Sequence, residues 1–170
     1  MDAIGRTTHE VLGFRDFVLI PQRKLVFSVS CGLKAGALMP KKSYKLSDGS
    51  KIEVGAVECW LQSNSDLDKH RYEKLWHKNL SGKGVTLAWD DTNGYIGIGM
   101  DNGLVAILKI NPKSPAKYKE YVISKPHKSK VSGLFFDEST NRLFTIGEDK
   151  NFHSYDIKSK TIHNSKLRIC

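Results

Sequence analysis

The chain offers a short list of groups that chemistry might recruit, and their spacing tests each one. Ser81-Gly82-Lys83-Gly84 has the glycine and lysine of a phosphate-binding loop, but the glycine needed five residues upstream is His77, and the residue after Lys83 is Gly84 rather than Ser or Thr. Gly97-Ile98-Gly99 begins like a dinucleotide fingerprint, yet position 102 is Asn and the segment reads as a strand. Its small residues fit close packing of neighbouring sheets better. The six histidines supply neither an H-E-x-x-H motif nor a compact ligand cluster, so no metal and no cofactor is expected. Cys31, Cys59 and Cys170 form no C-x-x-C pair and no disulfide framework, as in a reducing compartment, and Cys59 reads as a small core residue. The acid pairs Asp90-Asp91 and Asp137-Glu138 end apolar runs, where turn chemistry accounts for them. The sequence therefore points away from catalysis.

Charge is the other chemical resource. The net charge is +9, and seven lysines but only Glu120 among acids lie between Lys109 and Lys130. Lys125, Lys128 and Lys130 there, with Lys41 and Lys42 upstream, are the candidate contacts for an anionic partner such as a phosphoinositide surface. Solvated lysine-rich loops explain the same charges. Nucleic acid is disfavoured, because arginine and exposed aromatic residues are sparse in these segments.

The elements that would position these residues come from a repeat. The stretch 84–110 resembles 130–157 at a spacing of 46–48 residues: Val85 matches Val131, Asp90-Asp91 matches Asp137-Glu138, Gly99 matches Gly147 and Asp101 matches Asp149. Each copy divides into short apolar strands separated by turn residues, the Asn102-Gly103 pair among them. A weaker copy precedes them, with strands at 14–20, 25–31, 56–62 and 71–78, interrupted by an insertion over 32–55 that has a turn signal at Ser47-Asp48-Gly49. Three four-stranded antiparallel units result: 14–79 with the insertion, 84–124, and 130–167, within an all-β region over 9–170. Repeats of this length mean stacked small sheets, an architecture that holds partners more often than it catalyses.

These units resemble the blades of WD-repeat (WD40) β-propellers. That resemblance implies a hydrogen-bonded network of a His before the first strand, a strand-two hydroxyl, an Asp in the next hairpin and a Trp in strand three. In the third unit these are His127, Thr145 (or, by strict alignment, Gly147), Asp149 and Tyr155 in place of Trp; in the first, Trp60 with Ser28 or Ser30; in the second, Asp101 is kept while Ser81 and Ile107 replace His and Trp. The motifs LIP (19–21), SVS (28–30), VECWL (57–61), IGMDNG (98–103), HKSKV (127–131) and GEDK (147–150) are further similar to the amino-terminal blades of WD-repeat and FYVE-domain proteins. The cysteine pairs of a zinc-binding FYVE module are missing, so its lipid recognition is not carried over.

The expectation is thus a partial WD40-type propeller acting as a non-catalytic scaffold for protein partners. Three blades cannot close a ring, which expects completion by further blades, self-association or a partner. The alternative is an endosomal, phosphoinositide-associated adaptor working through the lysine loops. Met1–Glu10 has no apolar segment of a secretory leader, and no apolar run approaches bilayer length, so the expected location is cytoplasmic.

Overall fold

The computed structural model describes residues 14–30, 55–63 and 71–166. They form three four-stranded antiparallel meanders. The first contains β1 (Phe14–Ile20), β2 (Leu25–Ser30), β3 (Ala56–Gln62) and β4 (Tyr72–Asn79). The second contains β5 (Gly84–Asp90), β6 (Tyr95–Met100), β7 (Val105–Ile110) and β8 (Tyr118–Ser124). The third contains β9 (Val131–Asp137), β10 (Arg142–Gly147), β11 (Asn151–Asp156) and β12 (Thr161–Lys166). Most of the insertion, including the turn expected at Ser47-Asp48-Gly49, lies outside the described residues. No helix among the described residues is long and apolar enough to cross a membrane.

Turn chemistry sets the strand ends. In the second sheet Asp90 caps its own hairpin, accepting from the Asn93 backbone N–H at 2.8 Å and the Asn93 side-chain amide at 2.9 Å. Asp137 does the same in the third, accepting from the N–H groups and hydroxyls of Ser139 and Thr140. Those bonds, the Ser139 hydroxyl first, hold the Asp137 carboxyl below its ordinary range. Gly94 and Asn141 then take the left-handed conformation that closes each turn.

Hydrogen bonds fix the repeat at a single offset. Asp101 N–H bonds Lys83 C=O as Glu148 N–H bonds Lys130 C=O, and Ile110 N–H bonds Gly94 C=O as Ile157 N–H bonds Asn141 C=O; every counterpart is 47 residues on. The pairing Ile98↔Ala106 likewise recurs as Thr145↔His153. This corrects the matching by residue type. Val131 corresponds to Gly84 rather than Val85, Gly147 to Met100 rather than Gly99, and Asp149 to Asn102 rather than Asp101. A slip of one residue moves a strand's whole side-chain set to the opposite face, so pairing, not resemblance of letters, decides register.

The core lies between sheets. Phe27, Val29 and Val57 of the first sheet meet Leu87, Ile96 and Ile98 of the second, and Phe27 stacks on Trp89 at 5.2 Å. Val105 and Ile107 of the second sheet meet Val131, Phe136 and Leu143 of the third. Strands β6 and β7 are buried along nearly their whole length because both their faces are covered, which explains their unbroken apolar character. The glycines at 97 and 99 admit this approach. A Cβ at Gly97 would lie 3.3 Å from the Phe136 ring, and one at Gly99 would lie 2.7 Å from Val131 Cγ1 and 2.8 Å from Thr86 Cγ2.

Gly99→Val is therefore expected to destabilise the chain by about 2–3 kcal/mol through overpacking. Gly133→Ala, whose Cβ meets nothing within 4 Å, is expected to be close to neutral. Urea denaturation of the two variants checks the contrast.

Candidate functional site

The most concentrated polar chemistry sits where the third sheet meets the loop entering it. His127, in the β8–β9 loop, is fully buried, and so is Thr145 at the centre of β10. His127 Nε2 lies 2.8 Å from Thr145 Oγ1, and Nδ1 lies 3.0 Å from Asp149 Oδ1 in the β10–β11 hairpin. Asp149 also accepts from Lys128 N–H at 2.8 Å, Asn151 N–H at 3.2 Å and the Asn151 side-chain amide at 3.1 Å. Gly147 leaves room for the ring: a Cβ there would stand 2.4 Å from His127 Nδ1. Gly103 admits the incoming backbone, since its φ is +85° and a Cβ would lie 2.2 Å from His127 C=O.

Donor counting assigns the protons. An ionised carboxylate only accepts, so Nδ1–H of His127 donates to Asp149; the neutral ring then accepts at Nε2, and the Thr145 hydroxyl donates to it. Burial pulls the His127 pKa below its ordinary value, against the upward influence of Asp149, so the imidazole stays neutral. Burial alone would raise the Asp149 carboxyl, but the bonds from Lys128 N–H, His127 and Asn151 outweigh it and hold the group well below the usual carboxylate range.

Hydroxyl, imidazole and carboxylate stand here in the order of a nucleophilic triad. The arrangement cannot act as one, because Thr145 and His127 are sealed between sheets where no substrate reaches them. His127, Asp149 and His153 also place ligand atoms within 4.8 Å of one another. Both nitrogens of His127 are already engaged, so the group does not read as a metal centre. Cys59 offers no nucleophile either: burial pushes its thiol up to about 12.

The structure brings only part of the expected set together. Trp60 Nε1–H donates to Ser28 Oγ at 3.1 Å, which selects Ser28; Ser30 Oγ instead bonds the Ala56 backbone. Tyr155 occupies the position of Trp60, but its buried hydroxyl has no hydrogen-bond partner among the described residues. A phenol carries its polar atom at the ring tip rather than on the side, and Tyr155 serves the apolar contact between sheets. Asp101 stands outside the network too. Its carboxylate accepts from Lys83 N–H at 2.8 Å instead.

In the second sheet the counterparts of His127, Thr145 and Tyr155 are Leu80, Ile98 and Leu108, all buried. They replace the Ser81 and Ile107 named from the sequence. The counterpart of Asp149 is Asn102, which accepts from Leu104 N–H and uses the donor that Asp lacks to bond Ser81 C=O at 2.9 Å. One sheet thus links His127, Thr145 and Asp149 by hydrogen bonds, with the Tyr155 hydroxyl left out, where its neighbour has Leu80, Ile98 and Leu108. Among the candidate anion contacts, Lys125 and Lys128 are exposed on either side of His127, whereas Lys130 is ion-paired with Glu148. Lys41 and Lys42 lie outside the described residues.

Sequence reasoning missed the rim contacts between sheets. Arg23 Nε–H donates to Asp91 Oδ1 at 2.6 Å, and Trp89 Nε1–H donates to the same oxygen at 3.1 Å. Arg23 first and Trp89 second lower the Asp91 pKa. Glu138 accepts from the backbone N–H groups of Asp91 and Thr92 and from the Thr92 hydroxyl. Only the acid at both turns was visible beforehand.

His127→Leu alone is expected to cost about 2–3 kcal/mol, because Thr145 and Asp149 lose their partner while buried. Transplanting the second sheet's set (His127→Leu, Thr145→Ile, Asp149→Asn, Tyr155→Leu) is expected to recover most of that loss in chemical denaturation. A depressed histidine pKa gives stability that is complete above the unfolded value of about 6.5 and is lost as pH falls below it. The native chain should therefore lose stability as pH falls through about 6.5, and the transplant should lose less of it.

No protein-family model matches the chain, and no curated protein matches it by sequence. Solved structures do. The structure of U3-55K aligns with a TM-score of 0.60 at 16% identity, over 89% of this chain and 38% of its own length. The WD40 repeats of RRP9 align with a TM-score of 0.57 at 16% identity, over 89% and 38%. Chaetomium thermophilum Sqt1, solved bound to the N-terminus of ribosomal protein L10, aligns with a TM-score of 0.52 at 15% identity, over 77% and 29%. The chain thus spans under two-fifths of the length of each of these proteins. The narrower likeness to WD-repeat and FYVE-domain proteins finds no support among these matches. Three four-stranded antiparallel sheets, stacked in series and superimposing on part of each of these chains, give the protein the fold of a partial WD40-type β-propeller.

Proposed function

We propose that the chain is a non-catalytic scaffold that binds protein partners, incomplete on its own and completed by docking at its terminal sheets. One observation carries this reading: among the described residues, both end faces of the stack present large apolar side chains to solvent. On the first sheet Phe17 is 68% exposed and Leu19 50%. On the third Phe135 is 64% and Ile146 43% exposed, beside the stacked rings of Phe144 and Phe152. Stable lone proteins rarely present contiguous apolar surface of this kind. The likeness to Sqt1, a protein solved with a bound ribosomal-protein segment, agrees with a partner-holding role. The sealed network supplies rigidity to the loop at the sheet junction and no chemistry.

Attachment to an anionic membrane has less behind it. Of the three lysines near His127, only Lys125 and Lys128 are exposed without an acidic neighbour among the described ion pairs.

The purified chain is expected to bind an apolar-surface dye such as ANS and to self-associate as concentration rises. A Phe17→Glu/Phe135→Lys variant is expected to lose most of both at unchanged secondary structure. A monomeric chain with no dye binding contradicts the reading, and salt-sensitive flotation with phosphoinositide vesicles, abolished by reversing Lys125 and Lys128, favours the membrane alternative.

A further inference from the structure

The junctions between sheets follow a rule at the rim, and the rule describes what the open third sheet accepts. In each case the residue immediately after a sheet's first strand reaches back to the preceding sheet. After β5 it is Asp91, whose carboxylate takes the guanidinium of Arg23 from the first sheet's turn. After β9 it is Glu138, whose carboxylate takes the N–H groups of Asp91 and Thr92, both at 3.3 Å, together with the Thr92 hydroxyl. Two successive junctions are thus latched by an acid at one equivalent position, 47 residues apart.

The third sheet repeats the receiving half of this device. Glu138 and Ser139 are the counterparts of Asp91 and Thr92. With no sheet packed beyond it among the described residues, the Ser139 N–H and hydroxyl turn inward to Asp137 Oδ1, at 3.0 and 2.6 Å. In the second sheet Asp90 bonds only Asn93, and the Thr92 donors serve the neighbour instead. Beside this turn lies the apolar face of Phe135, Phe144, Ile146 and Phe152. These are the counterparts of Ala88, Gly97, Gly99 and Val105, the strip of the second sheet that the third sheet covers.

We propose that this face docks a further four-stranded β-sheet carrying aspartate or glutamate immediately after its first strand, the carboxylate being received by the Glu138 and Ser139 donors. The inference rests on the scaffold reading above. It also states which sheet is not the occupant. The free sheet of a second copy has Pro21 at the latch position, with no carboxylate to give. It also carries a buried Glu58, 3.4 Å from Lys74 Nζ, at the position where the second and third sheets place Ala106 and His153 against their neighbours. Glu58 is already buried, but Lys74, still 18% exposed, would lose its remaining water under another sheet, which opposes docking. Head-to-tail closure of two copies is therefore weak, and the missing acid is part of the reason.

Pro21 is exposed and lies in a short surface turn, so replacements there are tolerated. Sedimentation equilibrium of the full chain is compared for the native protein, Pro21→Ala and Pro21→Asp, with unchanged circular dichroism as the folding control. Supplying the carboxylate is expected to tighten head-to-tail self-association by about tenfold over Pro21→Ala, the usual worth of a charged acceptor. Equal association of the two variants overturns the proposal, as does a tight native dimer lost on Phe17→Arg. The latch itself is read separately by hydrogen exchange in Glu138→Ala. The Asp91 and Thr92 amides are expected to exchange at least about threefold faster, with the Leu143 amide unchanged; unaltered exchange at 91 and 92 overturns the rule. Absence of ANS binding by the native chain is the distinct result that removes the scaffold reading itself.

Discussion

Every feature of this molecule follows from one requirement: a small four-stranded sheet with two apolar faces must cover both of them. A single such sheet has too little interior of its own, and burial of roughly 25 cal/mol for each Å² of apolar surface becomes available only when sheets stack. Here three sheets provide two interfaces, one built on Phe27, Trp89 and Ile96 and the other on Val105, Phe136 and Leu143. The glycines at 97 and 99 belong to the same requirement, since they set how near the sheets come. The exposed Phe17 and Phe135 are what the requirement leaves outstanding.

The junction loops show two solutions to one packing problem. Where the backbone enters the third sheet, a neutral imidazole joins a hydroxyl to an ionised carboxylate, and every polar atom in that line is matched. Where it enters the second, Leu80, Ile98 and Leu108 fill the equivalent space without a polar atom. Both are complete. A mixture would be worse than either, because a buried polar group without its partner costs more than the bond it replaces. The hairpin position makes the logic visible: Asp149 accepts at every contact, whereas Asn102 donates at the one where the neighbour is a carbonyl.

The number of sheets was legible, and the strands of the first unit to within a residue, because apolar runs alternate with turn residues, as at Asp90-Asp91 and Asn102-Gly103 in the second unit. The offset between copies was not. The letters I-G-x-D align Asp101 with Asp149, and only the hydrogen bonds from Asp101 and Glu148 to Lys83 and Lys130 show that a hairpin is displaced by one residue. His127, Thr145 and Asp149 were legible as a set through their resemblance to a known pattern, and the His127 ring bonds both of the others. Tyr155 takes the position expected of it but makes no network bond, because a phenol carries its polar atom at the ring tip and that hydroxyl has no partner among the described residues. The rim latches were illegible for a different reason: Arg23 and Asp91 are far apart in sequence and meet only through the stacking itself.

The stacking order has a consequence for how the molecule comes apart. Among the described residues the main contacts of each sheet are with its immediate neighbours, so the array behaves as a short one-dimensional lattice with unequal sites. The middle sheet has cover on both sides, while the outer two have cover on one. Loss of structure therefore starts at the ends and moves inward, and β6 and β7 form the last unit to open. A sheet bound at either end adds more than its own contacts, because it turns a terminal site into an internal one and moves the place where unravelling begins.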